Sequence, residues 1–246
     1  MRYSFEMAAA GNFLFRWRSY FPLLLLPLLL WGMHKFEYLG DSHTTNLMWG
    51  FLCLCVSGIG IVIRAITIGK TPRDTSGGNT RSQVAASLNT TGIYSIVRHP
   101  LYLGNFFMWL GVAMFPHQWI IVLVIVLAFW LYYERIAMRE EQFLAEKFGS
   151  EYWNWAGKTP AFVPSFKNYT PSSMGFSFRT VLKREYYGAL GVVFSMSLLE
   201  LLGDFLVTGT VITDPFWVTL LSITLISFVT LRLLKKHTTV LQVPGR

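Results

Sequence analysis

The chain has 246 residues, of which 53% are hydrophobic, 16% aromatic and only 14% charged, with a mean hydropathy of +0.43. So few charges exclude an ordinary soluble domain, and the apolar residues come in blocks long enough to cross a bilayer, about 20 residues each. The formal net charge of +8 raises nucleic acid as a partner, but no nucleic-acid module is present and the charges sit in loops, as membrane topology requires.

In chain order, six spans are expected: 20–38, 47–68, 101–115, 119–137, 186–207 and 215–234. Lipid cannot hydrogen-bond a free backbone group, so continuous apolar runs such as Leu23–Leu26 and Ile120–Val126 read as helices rather than barrel strands. The first block begins late and lacks a small-residue cleavage site, so it is expected to stay in the protein. In the second, Cys53 and Cys55 fall two positions apart on different helix faces and read as apolar packing. The third span is short and meets the fourth through Pro116, His117 and Gln118, a tight helical hairpin. Glu200 and Asp204 share one face of the fifth span near its outer end, where both are expected to reach water. The expected fold is all-α: a single polytopic membrane bundle over residues 1–246, with a core at 86–164 and a two-helix C-terminal part at 186–234.

Alternating the loops across the membrane places Arg2, Arg16 and Arg18 on one side. With them go Arg64, Lys70, Arg73, Arg81 and Arg98, then eight basic residues around the fourth loop and four at the C-terminal end. Only Lys35 lies opposite. The positive-inside rule then makes both termini cytoplasmic, and the expected setting is a multi-pass protein of a bacterial inner membrane.

Two polar segments, 69–100 and 138–185, share the cytoplasmic side. The first opens in turn-forming sequence (Gly69-Lys70-Thr71-Pro72, Ser76-Gly77-Gly78-Asn79) and ends at Pro100, which suits the first turn of the third span. The second carries the fourth span out of the membrane as an amphipathic helix stopping at Gly149. The aromatic run Tyr152-Trp153-Asn154-Trp155 suits the headgroup region. Spans three and four are antiparallel, so Arg98, His99 and Tyr102 should face Glu140 and Glu141. Taken singly, the first three read rather as interfacial anchors, and the glutamates as a solvated face paired with Arg139 or Lys147. The histidines are scattered and no paired His or Cys spacing marks a metal site.

The run Gly92-x-Tyr94-x-x-x-Arg98-His99-Pro100-x-Tyr102-x-Gly104 is followed by Glu140-Glu141, Phe148-Gly149-x-x-Tyr152 and Thr159-Pro160. In that order the pattern resembles the isoprenylcysteine carboxyl methyltransferase and phospholipid methyltransferase superfamily, over roughly Leu88–Pro164. The resemblance implies an enzyme: an S-adenosylmethionine-dependent methyltransferase with a cytoplasmic cofactor site. Carried over by motif, Tyr94, His99, Pro100, Leu101, Tyr102 and Glu140 would line S-adenosylmethionine, with Ser87, Leu88 and Asn89 as a further cofactor segment. Arg98 and Glu141 take catalytic or supporting roles.

Such a cofactor needs acceptors for ribose hydroxyls and an ammonium and donors for a carboxylate, which this set supplies. Arg135 and Arg139 stand near the family's substrate arginine, itself replaced by Ile136, and are assigned to substrate. The implied acceptor is a membrane lipid or lipid-like molecule, preferably an anionic headgroup oxygen on which Lys70, Arg73, Arg81, Arg98, Arg135 and Arg139 converge. Alternatives are a prenylcysteine carboxyl group or a small hydrophobic thiol. The non-enzyme alternative is a scaffold or transporter, although a transporter predicts two repeated halves with interrupted helices, which the sequence lacks.

Overall fold

A computed structural model of the chain describes residues 13–14, 25–72, 75 and 85–246. Among these, seven α-helices are delimited and no strand occurs: α1 (Leu26–Gly32), α2 (His43–Gly69), α3 (Pro100–Met114), α4 (Trp119–Phe148), α5 (Ser150–Ala156), α6 (Phe178–Thr208) and α7 (Pro215–His237). Helices α2, α4, α6 and α7 are long and apolar enough to cross a membrane, and α3 is a shorter apolar helix. The chain is an all-α integral membrane bundle.

The spans after the first stand where hydropathy puts them, α4 continues to Gly149 as expected, and the first and fifth spans differ at their ends. Residues 20–24 of the first span lie outside the described residues, and its remainder does not continue as α-helix to Tyr38. Helix α1 passes into a 3-10 turn at Met33–Lys35, and Phe36–Tyr38 runs extended. This break lets Phe36 bury against Gly203 of α6 and Tyr38 donate its hydroxyl to Asp204 at 2.9 Å. Helix α4 runs unbroken from its apolar half into the polar segment up to Gly149, whose backbone (φ 52, ψ −123) is open to glycine and strained for other residues. Helix α6 begins at Phe178 rather than Tyr186, because the Ser177 hydroxyl accepts from Thr180 N and starts the helix early. Asp214 caps α7 in the same way, accepting from Phe216 N at 2.8 Å with Pro215 in the first turn.

Within lipid the hydrophobic effect does not draw helices together, so packing rests on close backbone approach and polar contacts. Helix α3 is joined to α4 by a tight turn yet lies closest to α2. A Cβ on Gly60 would overlap the carbonyl oxygen of Gly104, and one on Gly111 would overlap that of Cys53. The Ser57 hydroxyl donates to Met108 O across the same seam at 2.8 Å. Cys53 is buried there and Cys55 is exposed. The core below joins Met33, Ile121, Ile125, Met196 and Trp217 from four elements with Phe115 from the turn after α3. The exposed apolar residues of α7, among them Ile223, Ile226 and Val229, form the face turned to lipid.

One charge expected only to set topology does more. Arg64 lies inside α2, where its guanidinium makes a two-pronged pair with the buried Glu185 of α6 (Nε to Oε2 2.6 Å, Nη2 to Oε1 2.8 Å) and donates to Asn105 of α3 at 2.6 Å. Three helices are tied at one level by groups whose mutual neutralisation makes their burial tolerable. Asn105 passes the network on, donating to the Tyr133 hydroxyl of α4 at 3.0 Å.

Candidate active site

The start of α3 and the polar end of α4 meet, as the hairpin requires, and the two glutamates divide the work between them. Glu141 accepts from Arg98 Nε at 2.9 Å and Nη2 at 3.3 Å, and hydrogen-bonds His99 Nε2 at 2.8 Å. Glu140 accepts the Tyr102 hydroxyl proton at 2.9 Å and stands 3.6 Å from His99 Nδ1. Both carboxylates therefore bond to side chains at the start of α3, Glu141 24% and Glu140 33% exposed. Lys147 donates to Ala85 O at 2.6 Å, fastening the segment before Ser87 to α4.

Arg98 also donates from Nη1 to Ala156 O at 2.8 Å and Thr159 O at 3.1 Å. Its donors are spent on holding α4, α5 and the adjoining loop around the start of α3, which makes it a positioning residue. Backbone bonds reinforce the arrangement, since Arg98 N and His99 N donate to Pro160 O and Ala161 O at 2.9 and 3.2 Å. The His99 ring lies stacked between Tyr102 and Phe162, with centroids 5.4 and 5.5 Å away.

One residue, Tyr152, received the wrong setting from sequence, and one, Phe162, received none. Tyr152, read as a headgroup aromatic, is 1% exposed and hydrogen-bonds Glu141. Burial first, then the Glu141 charge, pushes its hydroxyl pKa up, so it stays a donor. Its neighbour Trp153 does face outward. Phe162, which received no role, closes the far side of His99. The motif spacing already held the signal for Tyr152, because Gly149-x-x-Tyr152 sits one helical turn past the end of α4.

Burial acts to lower the pKa of His99, but hydrogen bonds and charge from Glu140 and Glu141 outweigh it and raise the pKa above the ordinary 6.5. The cation is thus the form that the fold stabilises. This contribution is complete below about pH 6.5 and is lost as pH rises through the raised value. The unfolding midpoint of the wild-type protein in detergent is expected to fall as pH rises above about 6.5, and a His99→Gln variant to lose most of that slope. Parallel pH profiles of wild type and variant would contradict the assignment.

Ser87, Leu88, Asn89 and Tyr94 do not join this cluster directly. They line a cavity of about 240 Å³ together with Thr67, Lys70, Thr91 and Ser172. Tyr94 connects the two, because its carbonyl accepts Trp155 Nε1 at 2.8 Å from α5, the helix whose Ala156 carbonyl holds Arg98. Gly92 shapes the wall, with φ +63, its N–H donating to Thr170 O at 2.7 Å, and Ser172 where a side chain would go. Pro100 and Leu101 begin α3 beside His99. Arg135 donates to Leu131 O of its own helix at 2.6 Å and Arg139 is half-buried. Arg2, Arg16, Arg18, Arg73 and Arg81 lie outside the described residues.

Residues 45–151 match the family model described as phospholipid methyltransferase. The chain is similar to the cobalt-zinc-cadmium resistance protein CzcN of Cupriavidus metallidurans, 38% identical over 35% of this chain and 40% of that protein. It is similar also to two proteins named protein-S-isoprenylcysteine O-methyltransferase. The one from Schizosaccharomyces pombe is 32% identical over 47% of each chain, and the one from Rattus norvegicus 28% identical over 50% of this chain and 46% of that one. The chain thus spans less than half the length of these curated relatives. No solved structure matches it. The matched segment runs from α2 through the Arg98–Glu141 cluster to the start of α5, and over it the chain is similar to the superfamily of isoprenylcysteine carboxyl methyltransferases and phospholipid methyltransferases.

Proposed function

We propose that the protein is an S-adenosylmethionine-dependent methyltransferase whose acceptor is an anionic oxygen on a membrane lipid or lipid-like molecule. The observation that carries this reading is the joining, through Tyr94 and α5, of a polar cavity to a cluster holding two carboxylates. The residues fit the cofactor's chemistry. Ser87, Asn89, Thr91 and Tyr94 offer hydroxyl, amide and aromatic groups for a nucleoside, and Glu140 offers a carboxylate for its hydroxyls or ammonium. When bound, the cofactor supplies an electrophilic methyl group on a sulfonium.

The chain's own residues have a limited task, since in-line methyl transfer demands alignment and exclusion of water rather than acid–base work. Arg98, Glu141 and Tyr152 fix the segment 92–99 against α4 and α5. Lys70, on the cavity wall, draws a negatively charged acceptor. His99, held by Glu141 at Nε2 and facing Glu140 at Nδ1, positions the start of α3 and is not asked to act as a general base. An acceptor that is already ionised, such as a phosphate or carboxylate oxygen, needs none. In this reading the cluster faces the cytoplasm, where the soluble cofactor enters, while the acceptor arrives laterally from the bilayer.

A prenylated cysteine carboxylate has the same anionic chemistry and is favoured by the names of the two eukaryotic relatives. Incubation of the purified protein with methyl-labelled cofactor, once with phospholipid vesicles and once with a farnesylated cysteine analogue, separates the two. Label in an intact phospholipid supports the first acceptor, and base-labile label in the analogue supports the second. Label in neither, with a sample that binds cofactor, contradicts both.

A further inference from the structure

At the opposite end of the bundle, α2 and α6 bring together four electron-pair donors. His43 and Asn46 are three apart on the first turn of α2, and Glu200 and Asp204 are four apart near the end of α6, so each pair shares a helix face. Fifteen residues of helix, Glu185 to Glu200, separate this level from the Arg64–Glu185 pair, a rise of about 22 Å. Glu200 and Asp204 are 2% and 1% exposed, so neither reaches water as their position suggested.

Each carboxylate has one oxygen bound and one not. Glu200 Oε2 accepts Asn46 Nδ2 at 3.2 Å and Asp204 Oδ1 accepts the Tyr38 hydroxyl at 2.9 Å. Glu200 Oε1, Asp204 Oδ2, His43 Nε2 and Asn46 Oδ1 are all buried without a hydrogen-bond partner. One ligand atom from each of His43, Glu200 and Asp204 falls within 4.8 Å of the others, with His43 Nε2 3.9 Å from Glu200 and 3.8 Å from Asp204. Two buried carboxylates aimed at one imidazole nitrogen, with lone pairs unspent, form an arrangement that a hydrogen-bonded core does not need.

We propose that His43, Glu200 and Asp204 bind a divalent transition-metal ion of the zinc class, with Asn46 Oδ1 or water completing the shell. Two carboxylates and a neutral imidazole balance the charge of such an ion. The nitrogen donor selects zinc or cobalt over calcium and magnesium, which prefer all-oxygen shells. Ligand atoms on a tetrahedral zinc stand about 3.3 Å apart for bonds near 2.0 Å, so each side chain needs to move by less than about 1 Å. The His43 side chain is 36% exposed and provides the way in. Tyr38 and Asn46 act as outer partners, fixing the carboxylates through their other oxygens. The site stands apart from the Arg98 cluster and is independent of the methyl-transfer reading.

The test uses full-length protein in detergent, stripped of metal and titrated with zinc, then with cobalt. Wild type is expected to bind one zinc ion and, with cobalt, to show visible absorption bands of a nitrogen- and oxygen-ligated ion. Glu200→Gln and Asp204→Asn, which keep side-chain volume and remove buried charge, should each weaken zinc binding about 100-fold, and Tyr38→Phe about tenfold. Zinc should raise the unfolding midpoint of wild type but not of Asp204→Asn. Absence of cobalt bands in folded wild type overturns the proposal, as does equal zinc binding by wild type and both carboxylate variants.

Discussion

Glu141→Ala is expected to lower stability by about 3–5 kcal/mol and to abolish binding of S-adenosylhomocysteine. Alanine removes the acceptor shared by two Arg98 nitrogens, His99 Nε2 and Tyr152. It leaves the Arg98 guanidinium without its carboxylate and the buried His99 ring with Glu140 alone, 3.6 Å from Nδ1. Deleting one member of a buried ionic group costs more than the group contributes, because the remaining charges stay desolvated. The effect should reach the cavity, since Arg98 clamps Ala156 and Thr159 and α5 in turn holds Tyr94. Glu141→Gln keeps the shape and one acceptor oxygen and should lose less. Thermal unfolding and calorimetric titration of both variants read the two effects. An alanine variant as stable as wild type would mean that the cluster is solvated and the clamp carries no energy.

Arg64→Met should be comparably costly, about 3–5 kcal/mol, although it lies outside the motif that marks the family. It strands Glu185, 6% exposed, without a cation, and removes the donor to Asn105. The double variant Arg64→Met/Glu185→Leu should regain most of the loss, because an apolar pair of similar volume carries no buried charge. Unfolding midpoints of the two single variants and the double complete the cycle. Equal losses for Arg64→Met and the double variant would show that the residues act separately.

Hydropathy located the spans because bilayer thickness sets their length, and Pro100 and Gly149 marked helix ends through backbone chemistry visible in any sequence. The motif order placed Arg98-His99 opposite Glu140-Glu141 correctly. Which carboxylate meets which base was not legible, since consecutive helix positions differ by about 100° and the relative rotation of α3 and α4 is a packing outcome. Tyr152 and Trp153 show the same limit, two adjacent aromatics with one buried and one exposed.

The early start of α6 came from a single Ser177 cap beyond the apolar block. Arg64 and Glu185, 121 positions apart, looked like separate topology charges until the fold paired them. The His43, Glu200 and Asp204 group shows no metal-ligand spacing for the same reason, since tertiary contact supplies the proximity. The family match begins at residue 45, earlier than the resemblance read from Leu88 onward. It takes in most of α2, which contributes Thr67 to the cavity wall, with Lys70 just beyond its end.

Calorimetric titration of S-adenosylhomocysteine into the detergent-purified protein, beside a Glu140→Ala variant, tests the central claim most directly. Saturable binding at one site per chain, lost or strongly weakened when Glu140 is removed from Tyr102 and His99, is the predicted result. No binding by a folded wild-type sample would contradict it and leave the cluster as architecture alone.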